Sequence, residues 1–104
     1  MVNEGGKPDS RAVKMYTLGI MMDMNAESMR EAKRLFDTIS NHPQWQTQRS
    51  NDALMVDCLY IMGNRDSKLS QQKVIEATKR FLGKGTQPKP HLWRDFYEAL
   101  FTTV

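Results

Sequence analysis

Two segments, either side of a proline-containing break, limit what this chain can become. In the first, Met29, Ala32, Leu35, Phe36 and Ile39 recur at steps of three and four, with Arg30, Lys33 and Arg34 on the other side. In the second, Leu54, Met55, Cys58, Leu59 and Met62 repeat the pattern. This is the period of a helix with one apolar face, and each such face needs another element to cover it. Between them, Ser40 to Ser50 cannot be regular helix throughout. Pro43 removes a backbone donor and crowds the preceding turn. The same stretch has little β-branched content, so a strand of any length is not expected. Helix packed on helix is the architecture that follows.

The rest of the chain extends this plan. Residues 1–8, rich in glycine and polar side chains, read as a disordered lead-in to a single domain over 9–104. A first helix is expected from Asp9 or Ser10, either of which can cap it, to about Met24, where Asn25 breaks it. It carries two apolar lines: Val13, Tyr16 and Ile20, and Met15, Leu18 and Met22. Ser28 and Glu31 form a possible capping box for the second helix. The third starts at Ser50 or Asn51 and should stop at Gly63-Asn64. Ser70 can cap a fourth, in which Val74, Ile75, Thr78, Phe81 and Leu82 share a face. The break Gly83 to Pro90 precedes a fifth helix with the aromatic face Leu92, Trp93, Phe96, Tyr97, Leu100 and Phe101. The expected fold class is all-α: a leading helix followed by two helix–loop–helix units.

Composition limits the function. A chain of 104 residues is long enough for one core. The single cysteine, Cys58, rules out an internal disulfide and a cysteine-based zinc site. No apolar run reaches the ~18 residues of a membrane span. The first residues lack a secretory pattern, so a cytoplasmic setting and no membrane partner are expected. A net charge of +3 is mild and leaves room for an acidic partner. His42 and His91 lie about fifty residues apart with no histidine pair, paired-carboxylate motif or Gly-x-Ser-x-Gly around them. Gly83-Lys-Gly lacks the phosphate-loop spacing and reads as a turn. Cys58 sits on an apolar stripe, where a structural thiol is expected. Neither catalysis nor a cofactor is expected.

The phrase Glu31-Ala-Lys-Arg-Leu-Phe-Asp37, then a loop, then Asp52-Ala-Leu-Met-Val-Asp-Cys-Leu-Tyr-Ile-Met-Gly63, resembles the first EF-hand of calmodulin-like proteins. Ser70-Gln-Gln-Lys-Val-Ile75 and Trp93-Arg-Asp-Phe-Tyr-Glu-Ala-Leu100 are similar to the entering and exiting helices of a second hand. The resemblance covers roughly residues 26–104, and myosin-type light chains, with their degenerate hands, are nearest in style. Phe36 to Gly63 is several residues longer than the family spacing. A calcium loop needs oxygen ligands at its first, third, fifth, seventh, ninth and twelfth positions, with glycine at the sixth and glutamate at the twelfth. Counted from Asp37, the ligand positions hold Asp37, Ile39, Asn41, Pro43, Trp45 and Gln48, with His42 in the glycine place. In the second loop Lys84, Lys89 and Arg94 stand where anions belong. The resemblance therefore implies a calcium-independent lobe with no metal ligands.

Such a lobe would clasp an amphipathic helix of a larger protein in an apolar groove. Met21, Met22, Met55, Leu59, Met62, Leu100 and Phe101 are the groove candidates, with Phe96 and Met24 beside them. The methionines after Ile20 either contribute to the groove or plug it. Eight methionines in so short a chain suit either an adaptable surface or a gap-filled core. Calmodulin-like lobes are usually acidic, and this basic chain departs from that. A second reading is a small basic helical nucleic-acid-binding regulator using Lys79, Arg80, Lys84, Lys89 and Arg94. A third is a helical-repeat adaptor. Its matching segments Glu31-Ala-Lys-Arg-Leu-Phe and Glu76-Ala-Thr-Lys-Arg-Phe stand 45 residues apart rather than the ~34 of a common helical repeat.

Overall fold

The fold is given by a computed structural model that describes residues 10–42, 49–66, 68–96 and 98. Four α-helices follow one another: α1 (Ser10–Met21), α2 (Ala26–Ser40), α3 (Asn51–Asp66) and α4 (Gln71–Leu82). A 3-10 helix, Pro90–Trp93, leads into a helical turn at Arg94. There is no strand among the described residues, and the fold is all-α. None of the helices is long and apolar enough to cross a membrane. The lead-in expected over 1–8 lies outside the described residues, as do Tyr97, Leu100 and Phe101 of the aromatic face.

α3 is the central element. It is packed by α1, α2, α4 and the 3-10 helix. Burial therefore extends beyond the expected stripe of Leu54, Met55, Cys58, Leu59 and Met62 to Val56, Asp57, Ile61 and Gly63. A helix covered on most sides must be apolar on most sides. α2 presents Met29, Ala32, Leu35, Phe36 and Ile39 to this core, the face expected for it.

Four local expectations are corrected. α1 stops at Met21 instead of Met24. Asp23 adopts φ 59°, in the left-handed region. The Met24 N–H bonds Gly19 O at 2.9 Å and the Asp23 N–H bonds Ile20 O at 3.0 Å. That is the Schellman pattern, with aspartate in the place glycine usually takes. α2 begins two residues before Ser28, because Asn25 is its cap and accepts from the Ser28 N–H at 2.8 Å. Ser28 is buried inside the helix, and its hydroxyl donates to Asp66 at the end of α3.

Gly63, expected to stop α3, lies within it. A Cβ there would come 2.6 Å from Leu69 Cδ2, so this glycine gives Leu69 its seat on the helix. In α4, Ser70 is the N-cap and accepts from the Lys73 N–H at 3.1 Å. Gly83 ends the helix at φ 88°. However, Phe81, expected to share the face of Val74 and Thr78, is 39% exposed while those two are buried. The aromatic at the centre of the C-terminal segment is Trp93, only 1% exposed.

Candidate functional site

The most constrained chemistry in the molecule surrounds Asp57. Its side chain is fully buried on α3 and accepts four hydrogen bonds. Arg49 approaches as a fork, Nε to Oδ2 at 2.7 Å and Nη2 to Oδ1 at 2.8 Å. The Lys89 N–H reaches Oδ1 at 2.8 Å, and the Trp93 indole N–H reaches Oδ2 at 2.7 Å. A buried carboxylate is tolerated when its charge is paired and its lone pairs are filled, and both conditions hold here. One side chain thus ties together the entry to α3, the segment after α4 and the 3-10 helix. With every lone-pair direction occupied by protein, Asp57 is a structural latch rather than a base facing substrate.

The surface has a different character on α1. Met15, Leu18, Gly19 and Met22 face the core. The other apolar line of the helix runs along the opposite side. On it Val13 is 47% and Ile20 64% exposed, with Tyr16 and Thr17 half-buried between them. Gly19 decides which line turns inward. A Cβ there would come 2.4 Å from Met29 Sδ, so the glycine gives the Met29 side chain its present seat against α1.

Tyr16 also lines an open recess of about 490 Å³ between α1 and α2. Arg30, Lys33, Arg34, Asp37 and Asn41 complete its principal lining. Lys33 Nζ bonds both Asp37 oxygens, at 2.9 and 2.7 Å. Arg34 reaches Glu31 at 3.4 Å, and its side chain stays 60% exposed.

The groove residues expected from the sequence fall in different places. Met22, Met55, Leu59 and Met62 are 0–2% exposed and belong to one core cluster with Leu35, Phe36 and Ile39. They offer no open groove in this arrangement, because they pack with Met15 and Leu18 of α1 in the same core. Met21 and Met24 are partly buried at the edge of that cluster. Leu100 and Phe101 lie outside the described residues. Phe96 packs against the core, and its ring meets His42 edge-on at 5.4 Å. The surface that the sequence reading missed is the line Val13–Ile20. Its periodicity was visible, but either apolar line of the first helix could have faced inward.

The basic candidates are more accessible. Lys79 and Arg80 lie in the last turn of α4, and Lys84 and Lys89 on the segment after it. All four are exposed, and none has an ion-pair partner among the described residues. Arg94 stands 3.9 Å from Glu98. Lys84, Lys89, Arg49, Ser50, Asp52 and Thr86 line a second recess of about 620 Å³ beside the start of α3. Asp52 there pairs with Lys14 at 3.0 Å.

Of the remaining reactive groups, Cys58 is fully buried. Burial, then the nearby negative charge of Asp57 and Asp37, pushes its thiol well above the ordinary range. Thiolate chemistry needs the opposite surroundings. His91 is exposed on the 3-10 helix. No group of three or more His, Cys, Asp or Glu side chains that could hold a metal ion occurs among the described residues. Asp37, the first position of the loop compared with calcium sites, is engaged by Lys33, and Ile39 is in the core. Pro43, Trp45 and Gln48 lie outside the described residues. Comparison with protein-family models, curated proteins and solved structures gives no significant match.

Proposed function

We propose that this chain is a non-enzymatic, calcium-independent protein-binding module that takes an amphipathic helix of a larger partner. A degenerate pair of EF-hand-like units, as in light chains, is part of the same proposal. The docking surface is the outer face of α1, with Met22, Met55, Leu59 and Met62 serving as core beneath it. The observation that carries this reading is the line of Val13, Tyr16, Thr17 and Ile20 directed away from the core, with Ile20 64% exposed. Apolar side chains at such spacing are the anchors by which helices dock on one another. Covering an isoleucine or valine contributes up to about 1.5–3 kcal/mol each.

The test is the double variant Val13→Lys/Ile20→Lys beside a Gln72→Lys control. Complexes would be recovered from native extract after nuclease treatment. The reading predicts that the double variant keeps the parent's urea midpoint and loses a stoichiometric protein partner that the control retains. Unchanged complexes in the double variant, or complexes that disappear with nuclease alone, would overturn it.

A second reading, nucleic-acid binding, is favoured by four exposed cations, Lys79, Arg80, Lys84 and Lys89, with no ion-pair partner among the described residues. Its signature would be association weakening steeply with salt. A diffuse cluster of this kind belongs in the non-specific range, about micromolar or weaker at physiological salt.

A further inference from the structure

We propose that the recess between α1 and α2 selects partners whose docked helix carries acidic residues along one flank. This inference rests on the docking reading above and adds the chemistry of the partner. Tyr16 belongs both to the outer line of α1 and to the lining of the recess, so the apolar line and the cationic recess form one surface. The lining sets Arg30, Lys33 and Arg34 against a single carboxylate, Asp37.

Asp37 is already neutralised by the two bonds from Lys33. The recess therefore has positive charge left to offer. Arg30 is exposed and has no ion-pair partner among the described residues. Among the described residues Arg34 has only the long 3.4 Å ion pair to Glu31.

The spacing selects a helix. Arg30 and Arg34 are one turn apart on α2, which places them about 5–6 Å from one another at Cβ. Carboxylates at i and i+4 of an adjacent helix have the same separation, and each can meet a guanidinium fork. Val13 and Ile20 lie two turns apart, about 10.5 Å along α1. Apolar residues at i and i+7 of that partner helix match them. The occupant is thus an amphipathic helix with an apolar face and a glutamate- or aspartate-bearing flank.

Two designed 18-residue helical peptides test this against the full chain. Both carry the same leucine face. One bears glutamate pairs at i and i+4 on the flank, the other lysine at those positions. The readout is amide shift mapping in isotope-labelled protein, with inorganic phosphate as a third titrant. The expected result is that the glutamate peptide perturbs residues 13–20 and 30–41 and binds at least tenfold more tightly than the lysine peptide. Arg30→Glu/Arg34→Glu should reverse that preference with at most a small fall in the urea midpoint, since both side chains are exposed and Arg34 gives up only its long contact to Glu31. Equal binding of the two peptides on residues 13–20 would overturn the acidic preference and leave the docking reading standing. No perturbation of residues 13–20 by either peptide would remove the docking reading as well. Saturable phosphate binding in the recess, with no glutamate preference, would assign it to a phosphate-bearing ligand and overturn the inference.

Discussion

Replacing Asp57 by asparagine alters one terminal atom and leaves the shape of the side chain intact. The consequence follows from four donors that share this one carboxylate, of which Arg49 Nη2 has a second, longer bond, to Gln87 O at 3.3 Å. Whichever oxygen becomes an NH2 group then faces two N–H groups. If Oδ1 is replaced, the Lys89 N–H loses its acceptor and Arg49 Nη2 keeps the longer bond to Gln87 O. If Oδ2 is replaced, the Trp93 indole and Arg49 Nε are stranded. Two bonds to a charged acceptor, at about 1.5–3 kcal/mol each, give roughly 3–6 kcal/mol. Breaking a buried ion pair by removing one charge gives about 3–5 kcal/mol on independent grounds. A small domain is stable by only about 5–15 kcal/mol, so this variant should stand near the edge of folding.

Urea unfolding followed by far-UV dichroism reads the loss. With a slope of about 1.5 kcal/mol per molar, the midpoint should fall by roughly 2–4 M. The companion variant Arg49→Met, alone and with Asp57→Asn, completes a double-mutant cycle. The double variant should cost clearly less than the sum of the singles, since both remove the same pair. A midpoint shift worth less than about 1 kcal/mol would refute the reasoning, because a fully desolvated carboxylate with four donors cannot be neutralised so cheaply.

Three further outcomes are expected. Gly83→Ala, at φ 88° with nothing within 4 Å of a new Cβ, should cost about 1–2 kcal/mol from backbone strain alone, read as a urea midpoint shift. Cys58 should react with a thiol reagent at least about a thousandfold more slowly in the native protein than in denaturant; faster labelling would mean that α3 opens locally. Asp66 is held below the ordinary carboxylate range, first by Arg65 and then by the Ser28 hydroxyl. Its stabilising contribution is therefore present above about pH 4 and is lost as pH falls through the lowered value, so Ser28→Ala should flatten the acid limb of a stability profile.

The sequence was most informative where one residue type has one physical use. Ser70 and Gly83 were legible as cap and break because few other residues serve there, and the faces of α2 followed from period alone. Gly63 was misread because a glycine near a helix end has two uses, and only Leu69 reveals which applies. Ser28 was misread because Asn25 competes for the same role. Asp57 left a signal that went unused: a carboxylate between Val56 and Cys58, in the middle of the apolar stretch of the helix, must find a partner or be excluded from the core. Trp93 stands 36 residues away and only the fold joins it to Asp57, whereas Arg49 lies just before the helix, eight residues upstream. On α1 the two apolar lines are equivalent by period. Gly19 separates them, since the Met29 and Leu59 side chains pack against it on the inward-facing line. Leu100 and Phe101, named from the aromatic face, lie outside the described residues.

The docking claim is tested most directly by a photoreactive residue in place of Ile20, irradiated in the chain's native cellular setting, with the same residue at Gln72 as control. Adducts would be identified by mass spectrometry. The account predicts a protein adduct from position 20 and not from position 72, mapping to a helical segment with apolar residues two turns apart and acidic residues on its flank. Adducts of equal yield from both positions, or a nucleic-acid adduct in place of a protein one, would contradict it.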